Sequence, residues 1–241
     1  MNRVTLICCF NNKKQFDELK ITLENQTEKH KLIAIDNTRK VFSSCSLAFN
    51  SVIRQVETKY VIYLHQDILF INNNSLKIFT DYMEQIDKND ILGVAGSKRG
   101  VDHVISNILH GMFLQQAGKE CVVGMLSVDV IDECFFGGHT ECFINNPFNE
   151  ELCGGWHLYA VERCLNALIQ KNHVYVCDVS LIHNSKGKIN HAFNVDFYKI
   201  SKYYAKQVNY IRTTCAYAST RFIIREWAYV KREISVRLNR Y

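Results

Sequence analysis

The stretch Tyr60-Val61-Ile62-Tyr63-Leu64, running straight into His65-Gln66-Asp67, constrains the fold of this chain most tightly. Five β-prone residues without a polar interruption predict a strand buried on both faces, as inside a parallel sheet. Asn72-Asn73-Asn74 then marks a turn. Side chains two apart on a strand point to the same side, so an imidazole and a carboxylate at its end can converge on one cation. Open α/β sheets bind ligands beyond the carboxyl ends of their strands. A plainer account also fits: His65 caps the strand and Asp67 starts a turn.

Alternation on either side extends the pattern. Val4 to Phe10 predicts a buried strand, and Phe16, Leu19 and Leu23 space a helix to about Asn25. Lys31 to Ile35 is a second strand ending at Asp36, and Ser43 or Ser44 caps a helix to about Gln55. Ser75 to Ile86 has helical spacing, and Ile91 to Ala95 is a short strand closed by Gly96. Such alternation implies right-handed crossovers and an α/β fold, its mostly parallel central sheet flanked by helices. Further on, Cys121-Val122-Val123 and Leu126 to Phe136 predict strands, and Gly137-Gly138-His139 a mobile loop. Trp156 to Gln170 is helical, Val174 to Cys177 is a strand, and His183 to Gly187 is a polar loop. From Asn194 onward the spacing is helical to the end. This divides the chain into a domain over 1–193 and a basic, helical C-terminal segment over 194–241.

With 241 residues, one proline and eleven glycines, the chain has room for a substantial core and little material for a linker. Its ten cysteines are scattered, with no Cys-x-x-Cys pair, and Cys8-Cys9 falls inside a predicted strand. That usage fits reduced core thiols in a cytoplasmic protein better than disulfides or zinc. No signal peptide or membrane span is expected, because no apolar run is long enough. The net charge of +5 is uneven: Lys199 to Tyr241 carries ten Lys and Arg against Glu226 and Glu233, or +8, leaving −3 for residues 1–198. The body is therefore no nucleic-acid binder by charge. In the tail, Ile223, Trp227, Val230, Ile234 and Leu238 share a helical face, with Arg221, Arg225 and Arg232 opposite and Lys231 and Arg237 flanking. Such a helix suits peripheral contact with an anionic membrane, here the inner face, and equally suits packing on the domain or on a second copy in a homo-oligomer.

Five segments in order, Ile33-Ala-Ile-Asp-Asn37, Ser46-Leu-Ala-Phe-Asn50, His65-Gln-Asp67, Gly155-Trp-His-Leu-Tyr159 and Leu181-Ile-His-Asn-Ser185, carry a resemblance. Over about residues 3–187 the chain resembles the bacterial family-2-like glycosyltransferases of GT-A type, some of which carry His-Gln-Asp where others have the Asp-x-Asp metal motif. The resemblance implies sugar transfer from a nucleotide-diphosphate donor, a UDP-sugar favoured, to a glycan or lipid-linked acceptor. It implies inverting, metal-dependent chemistry in bacterial surface polysaccharide synthesis. A divalent ion bridging both phosphates acts as Lewis acid and template. Asp67 is its natural oxygen ligand, and His65 is either a ligand or a phosphate contact. The resemblance adds His183 from the late loop. A mixed nitrogen and oxygen set favours Mn²⁺ over Mg²⁺.

In similar enzymes an acid at the place of Asp36 contacts the nucleoside, and backbone like that of Cys9-Phe10-Asn11 lines the base. Asn50 matches a helix position of the family, and Gly93 to Gly96 resembles the segment flanking the donor sugar. Each also has an ordinary account: a turn-forming Asp36, an exposed Asn50, a tight turn at Gly96. Inverting transfer needs a base near the acceptor hydroxyl. Relatives carry two acids at the helix start, where this chain has Ala160 and Glu162. Glu162 is therefore the first candidate base, His157 the second and Asp132 a weaker third. Trp156 and Tyr159 either stack on a sugar or serve as core aromatics. Two other functions stay open at this point: a non-catalytic sugar-nucleotide-binding module, which Ala160 would explain, and a metal-dependent phosphoesterase or nucleotidyltransferase.

Overall fold

The structure, a computed structural model, describes residues 2–111, 113–185 and 189–238. Lys186 and Gly187 of the expected polar loop, and Arg240 of the tail, lie outside the described residues.

The first half runs β1 (Val4–Phe10), α1 (Lys13–Glu24), β2 (His30–Asp36), α2 (Cys45–Asn50), β3 (Tyr60–Leu64), β4 (Ile68–Phe70), α3 (Ser75–Met83), β5 (Ile91–Gly93) and β6 (Ala95–Ser97). Short strands come next: β7 (Ile105–Ser106), β8 (Leu109–His110), β9 (Gln115–Gln116), β10 (Met125–Ser127) and β11 (Val130–Ile131). Then come β12 (Phe135–His139), α4 (Thr140–Asn145), α5 (Tyr159–Ile169), β13 (Val174–Cys177), β14 (Leu181–His183) and α6 (His191–Tyr203). The chain continues through β15 (Tyr210–Arg212), β16 (Tyr217–Ser219) and α7 (Phe222–Arg237).

Seven strands form the central sheet in the order β10-β13-β5-β12-β3-β1-β2. Its pairings leave five strands running one way, with β12 and β10 reversed. The predicted α/β fold with a mostly parallel sheet is therefore present. β3 lies at its heart, with every residue at most 1% exposed. Its alternate side chains feed two apolar layers, as a period of two requires. Val61 and Tyr63 join Phe49, Phe136 and Phe148 on one face, while Tyr60, Ile62 and Leu64 meet Leu19, Phe79 and Phe135 on the other. Ser44 caps α2 by accepting from Leu47 N at 3.2 Å, and Asn12 caps α1 by accepting from Gln15 N at 3.3 Å.

Three expectations need correction. Gly137 and Gly138 are no loop: they sit in β12, hydrogen-bonded between β3 and β5. Glycine is depleted in strands, which made the pair look like a break. Here it permits close approach, since a Cβ on Gly137 would fall 2.2 Å from Val61 O. Cys121 to Val123 form no strand. The C-terminal segment is not helical throughout, because β15 and β16 make an antiparallel hairpin between α6 and α7. Its tip is self-bonded, with Cys215 N and Ala216 N donating to Thr213 Oγ1 at 3.2 and 2.9 Å. Phe193, Phe197 and Ile200 of α6 and Ile211 and Ala218 of the hairpin join the same apolar cluster as Val61 and Tyr63.

Candidate active site

The end of β3 delivers three side chains in three directions. Gln66 turns toward β1, where its Oε1 accepts from Asn11 N and Asn12 N at 2.9 and 2.8 Å and its Nε2 donates to Asn11 Oδ1 at 3.0 Å. Asp67 turns toward β14. The antiparallel register of β4 and β14 pairs Ile68 with His183, which sets His183 Nε2 3.5 Å from Asp67 Oδ1. His183 is thus the last residue of a strand, and the loop begins only at Asn184. His65 lies between, its Nδ1 3.4 Å from His183 Nε2 and its Nε2 3.2 Å from Tyr159 Oη. Ligand atoms of His65, Asp67 and His183 all lie within 4.8 Å of one another. One carboxylate oxygen and two imidazole nitrogens at this spacing fit a single divalent ion. A second grouping, Asp132, Cys134 and His183, shares the histidine. There burial beside Asp132 pushes the Cys134 thiol far up, so it offers no ready anionic ligand.

The electrostatics couple these groups. Burial, aided by neighbouring His183, pulls His65 down to about 4, so its ring is neutral near pH 7. Burial also opposes charge on His183, yet the hydrogen bond to Asp67 and the charge of Asp132 outweigh it and raise its pKa. Asp67 and Asp132 stay below the ordinary carboxylate range, because the histidines outweigh their own burial. Asp132 Oδ2 accepts from Thr214 Oγ1 at 2.6 Å and its Oδ1 from Cys134 N at 3.0 Å.

Beside them Glu133 accepts from Leu158 N, and its Oε2 lies 3.6 Å from His157 Nδ1. Burial lifts the Glu133 carboxyl, and Glu133 in turn lifts His157 against that ring's own burial. Leu158, the hinge between His157 and α5, has left-handed backbone with φ +70°. His65, Asp132, Glu133, His157, His183 and Thr214 line one cavity of about 270 Å³, with apolar walls from Ile131, Val161 and Phe193.

The other expected site residues are placed differently. Glu162 is 3% exposed, accepts from Tyr204 Oη at 2.7 Å and does not line this cavity; burial raises its pKa. Tyr159, 1% exposed, holds His65 and cannot stack on a sugar. Trp156 lines a neighbouring cleft of about 440 Å³ with Asn11, Asn37, Thr38 and Lys40. Asp36 is not among the residues lining it but is bonded to one that is, its Oδ1 accepting from Thr38 Oγ1 and N at 2.7 and 2.8 Å, which lowers its pKa. The Phe10 ring stacks on Phe16 at 4.1 Å, so only its backbone faces that end of β1. The Asn50 amide is committed to Phe148 and Glu150, fastening α2 to the segment before α5. Gly96 is closed in β6, where a Cβ would fall 2.6 Å from Val130 O. Glu133 and Thr214 were not anticipated. Glu133 adjoins Asp132 in the sequence and was readable as one of an acidic pair; Thr214 carried no signal.

This sheet, with an open cleft at the end of β1 and an acid–imidazole cavity at the end of β3, has the GT-A glycosyltransferase fold. Residues 5–211 match the family described as "Glycosyltransferase like family", and the chain belongs to it. No curated protein matches the sequence. Among solved structures, the mannosyltransferase PcManGT from Pyrobaculum calidifontis, in complex with GDP-Man and Mn²⁺, is similar with TM-score 0.58 at 11% identity, over 85% of this chain and 63% of that one. S. aureus TarS 1–349 in complex with UDP-GlcNAc is similar with TM-score 0.54 at 12% identity, over 83% of this chain and 66% of that one. The chain thus spans just under two thirds of either neighbour, and at these identities the likeness is one of fold.

Proposed function

We propose that the chain transfers a sugar from a nucleotide-diphosphate donor, a UDP-sugar favoured, to a hydroxyl of a glycan or lipid-linked acceptor with inversion, in surface polysaccharide assembly. The observation that carries this reading is the convergence of His65, Asp67 and His183 beside the cavity that His65 and His183 line together with the His157–Glu133 pair. Nucleotide and diphosphate would run from the Trp156 cleft to the end of β3, leaving the acceptor the apolar-walled cavity. A divalent ion held by Asp67, His65 and His183, Mn²⁺ favoured by the mixed donors, would supply charge neutralisation to the leaving diphosphate.

The proton goes to His157. As the acceptor oxygen bonds to the anomeric carbon, the bond from that carbon to the phosphate oxygen breaks and the diphosphate leaves with the electron pair. The free imidazole nitrogen of His157 takes the hydroxyl proton, and Glu133, facing Nδ1, balances the imidazolium. Thr214 holds Asp132 oriented beside them. Glu162 has no part in this step, being bonded to Tyr204 outside the cavity.

The test is transfer from a panel of UDP- and GDP-sugars with Mn²⁺, with the anomeric configuration of the product read by NMR. His157→Ala should lower turnover ~10²–10⁴-fold at unchanged donor affinity. Near-normal turnover in that variant, with a large loss in Asp132→Asn, would move the base to Asp132. Retention of configuration would overturn the single-displacement reading.

A further inference from the structure

An ordinary surface helix packs its apolar stripe inward and turns its charges to water. α7 does the reverse. Its inward face carries Arg225 and Arg232, 5% and 7% exposed. Arg232 donates to Asn194 Oδ1 at 3.0 Å and Tyr217 O at 3.3 Å, and its guanidinium lies 4.9 Å from the centre of the Phe197 ring. Arg225 donates to Thr220 O at 3.3 Å and Glu226 Oε1 at 3.0 Å. The arginines that the sequence places opposite the apolar stripe are therefore the helix's anchors, and the stripe itself is left outside. Ile223, Trp227, Val230 and Ile234 are 79, 62, 53 and 53% exposed. From Ile223 to Ile234 this makes a ridge ~17 Å long on a helix of 16 residues. Apolar surface of that extent on a folded domain marks a contact site.

Charge selects the occupant. Lys231 and Arg237 stand exposed on the flanks of the ridge. The nearby acids are engaged, Glu226 by Arg225 and Tyr198, Glu233 by His191, Asn194 and Arg237. Two copies meeting through this face would bring together two segments of charge +8, whereas anionic headgroups complement it. Among the described residues no helix is long and apolar enough to cross a membrane, so contact through α7 is contact along its length. We propose that α7 lies in the interface of an anionic lipid bilayer, with Ile223, Trp227, Val230 and Ile234 inserted and Lys231 and Arg237 among the headgroups. Cys215 lines both the catalytic cavity and an open groove of about 700 Å³ that passes Tyr217 to reach Trp227 and Lys231. If the transferase reading holds, that groove gives a membrane-borne acceptor a path to the cavity. The membrane contact itself does not depend on it.

The experiment is co-sedimentation of the full chain with phosphatidylcholine vesicles, with and without phosphatidylglycerol, across a salt series. Expected are binding to the anionic vesicles only, release by salt, and a blue shift of Trp227 emission in a Trp156→Phe background. Val230→Asp with Ile234→Asp should abolish binding at an unchanged unfolding midpoint, since both positions are over half exposed. Lys231→Gln with Arg237→Gln should lower the partition coefficient about 25-fold, about fivefold per cation. No sedimentation at low salt, or equal binding by the Asp variant, overturns the proposal. So does a dimer in light scattering that the Asp variant dissociates while neither protein binds vesicles.

Discussion

Replacing Gly137 by alanine tests the sheet where its strands approach most closely. The added Cβ would lie 2.2 Å from Val61 O and 3.0 Å from Ile62 Cα, both backbone atoms that cannot rotate away. An unstrained carbon–oxygen approach is ~3.3 Å, so β12 and β3 would have to part by about 1 Å. Gly137 is in register with Ile62 on one side and Leu92 on the other, so movement away from β3 presses on β5. Overpacking strain of about 1–3 kcal/mol and two weakened ladder bonds at about 1 kcal/mol each bring the cost to roughly 3–5 kcal/mol. That is a large share of a stability of ~5–15 kcal/mol. Urea unfolding followed by fluorescence and circular dichroism measures it, with Gly154→Ala as the control. A Cβ on Gly154 meets nothing closer than 3.9 Å, so that variant should stay within about 1 kcal/mol of the original chain. Equal midpoints for the two variants would refute the close approach, and with it the assignment of Gly137 to a central strand.

Two further outcomes concern the site. Asp67→Ala should reduce UDP affinity in the presence of Mn²⁺ to its metal-free value in calorimetry; undiminished metal-dependent affinity would remove Asp67 from the ligand set. Glu162→Gln should leave turnover unchanged but alter stability against pH. The buried carboxyl binds its proton more tightly folded than unfolded, so the native chain loses stability as pH rises from about 4.5 through the raised value. The glutamine variant should lack that slope and gain stability at neutral pH, because its Oε1 can still accept from Tyr204; thermal midpoints across a pH series check this.

The elements most legible in the sequence were those whose pattern is local. β3 arises from an uninterrupted apolar run and β1 and β2 from runs centred on Leu6 to Phe10 and Leu32 to Ile35, and Ser44 acts as the cap its position suggested. The convergence of His65, Asp67 and His183 was legible only through family likeness, since it depends on the β4–β14 register across more than a hundred residues. Distance in sequence also hid Thr214, brought to Asp132 by a hairpin whose short strands were submerged in helical spacing. Glu162 misled for another reason. A glutamate in the first turn of an amphipathic helix is ordinarily exposed, whereas here Tyr204 of the C-terminal segment covers it. The arginines of α7 were placed correctly on the face opposite the apolar stripe, but periodicity cannot tell which face packs inward.

The left-handed backbone at Leu158 has a consequence for how the site can change. A leucine in that conformation costs roughly 1–2 kcal/mol, and its side chain is 1% exposed. Glycine would relieve the backbone but forfeit the packing. Just ahead of this corner, consecutive residues enter separate compartments: Trp156 the cleft beside β1, His157 the cavity beside β3. Two consecutive side chains thus serve two separate compartments. Substitutions at 156 can retune what the first compartment holds while leaving the ring at 157 in place, whereas a change at 158, which lines the cavity beside His157, would act on the second.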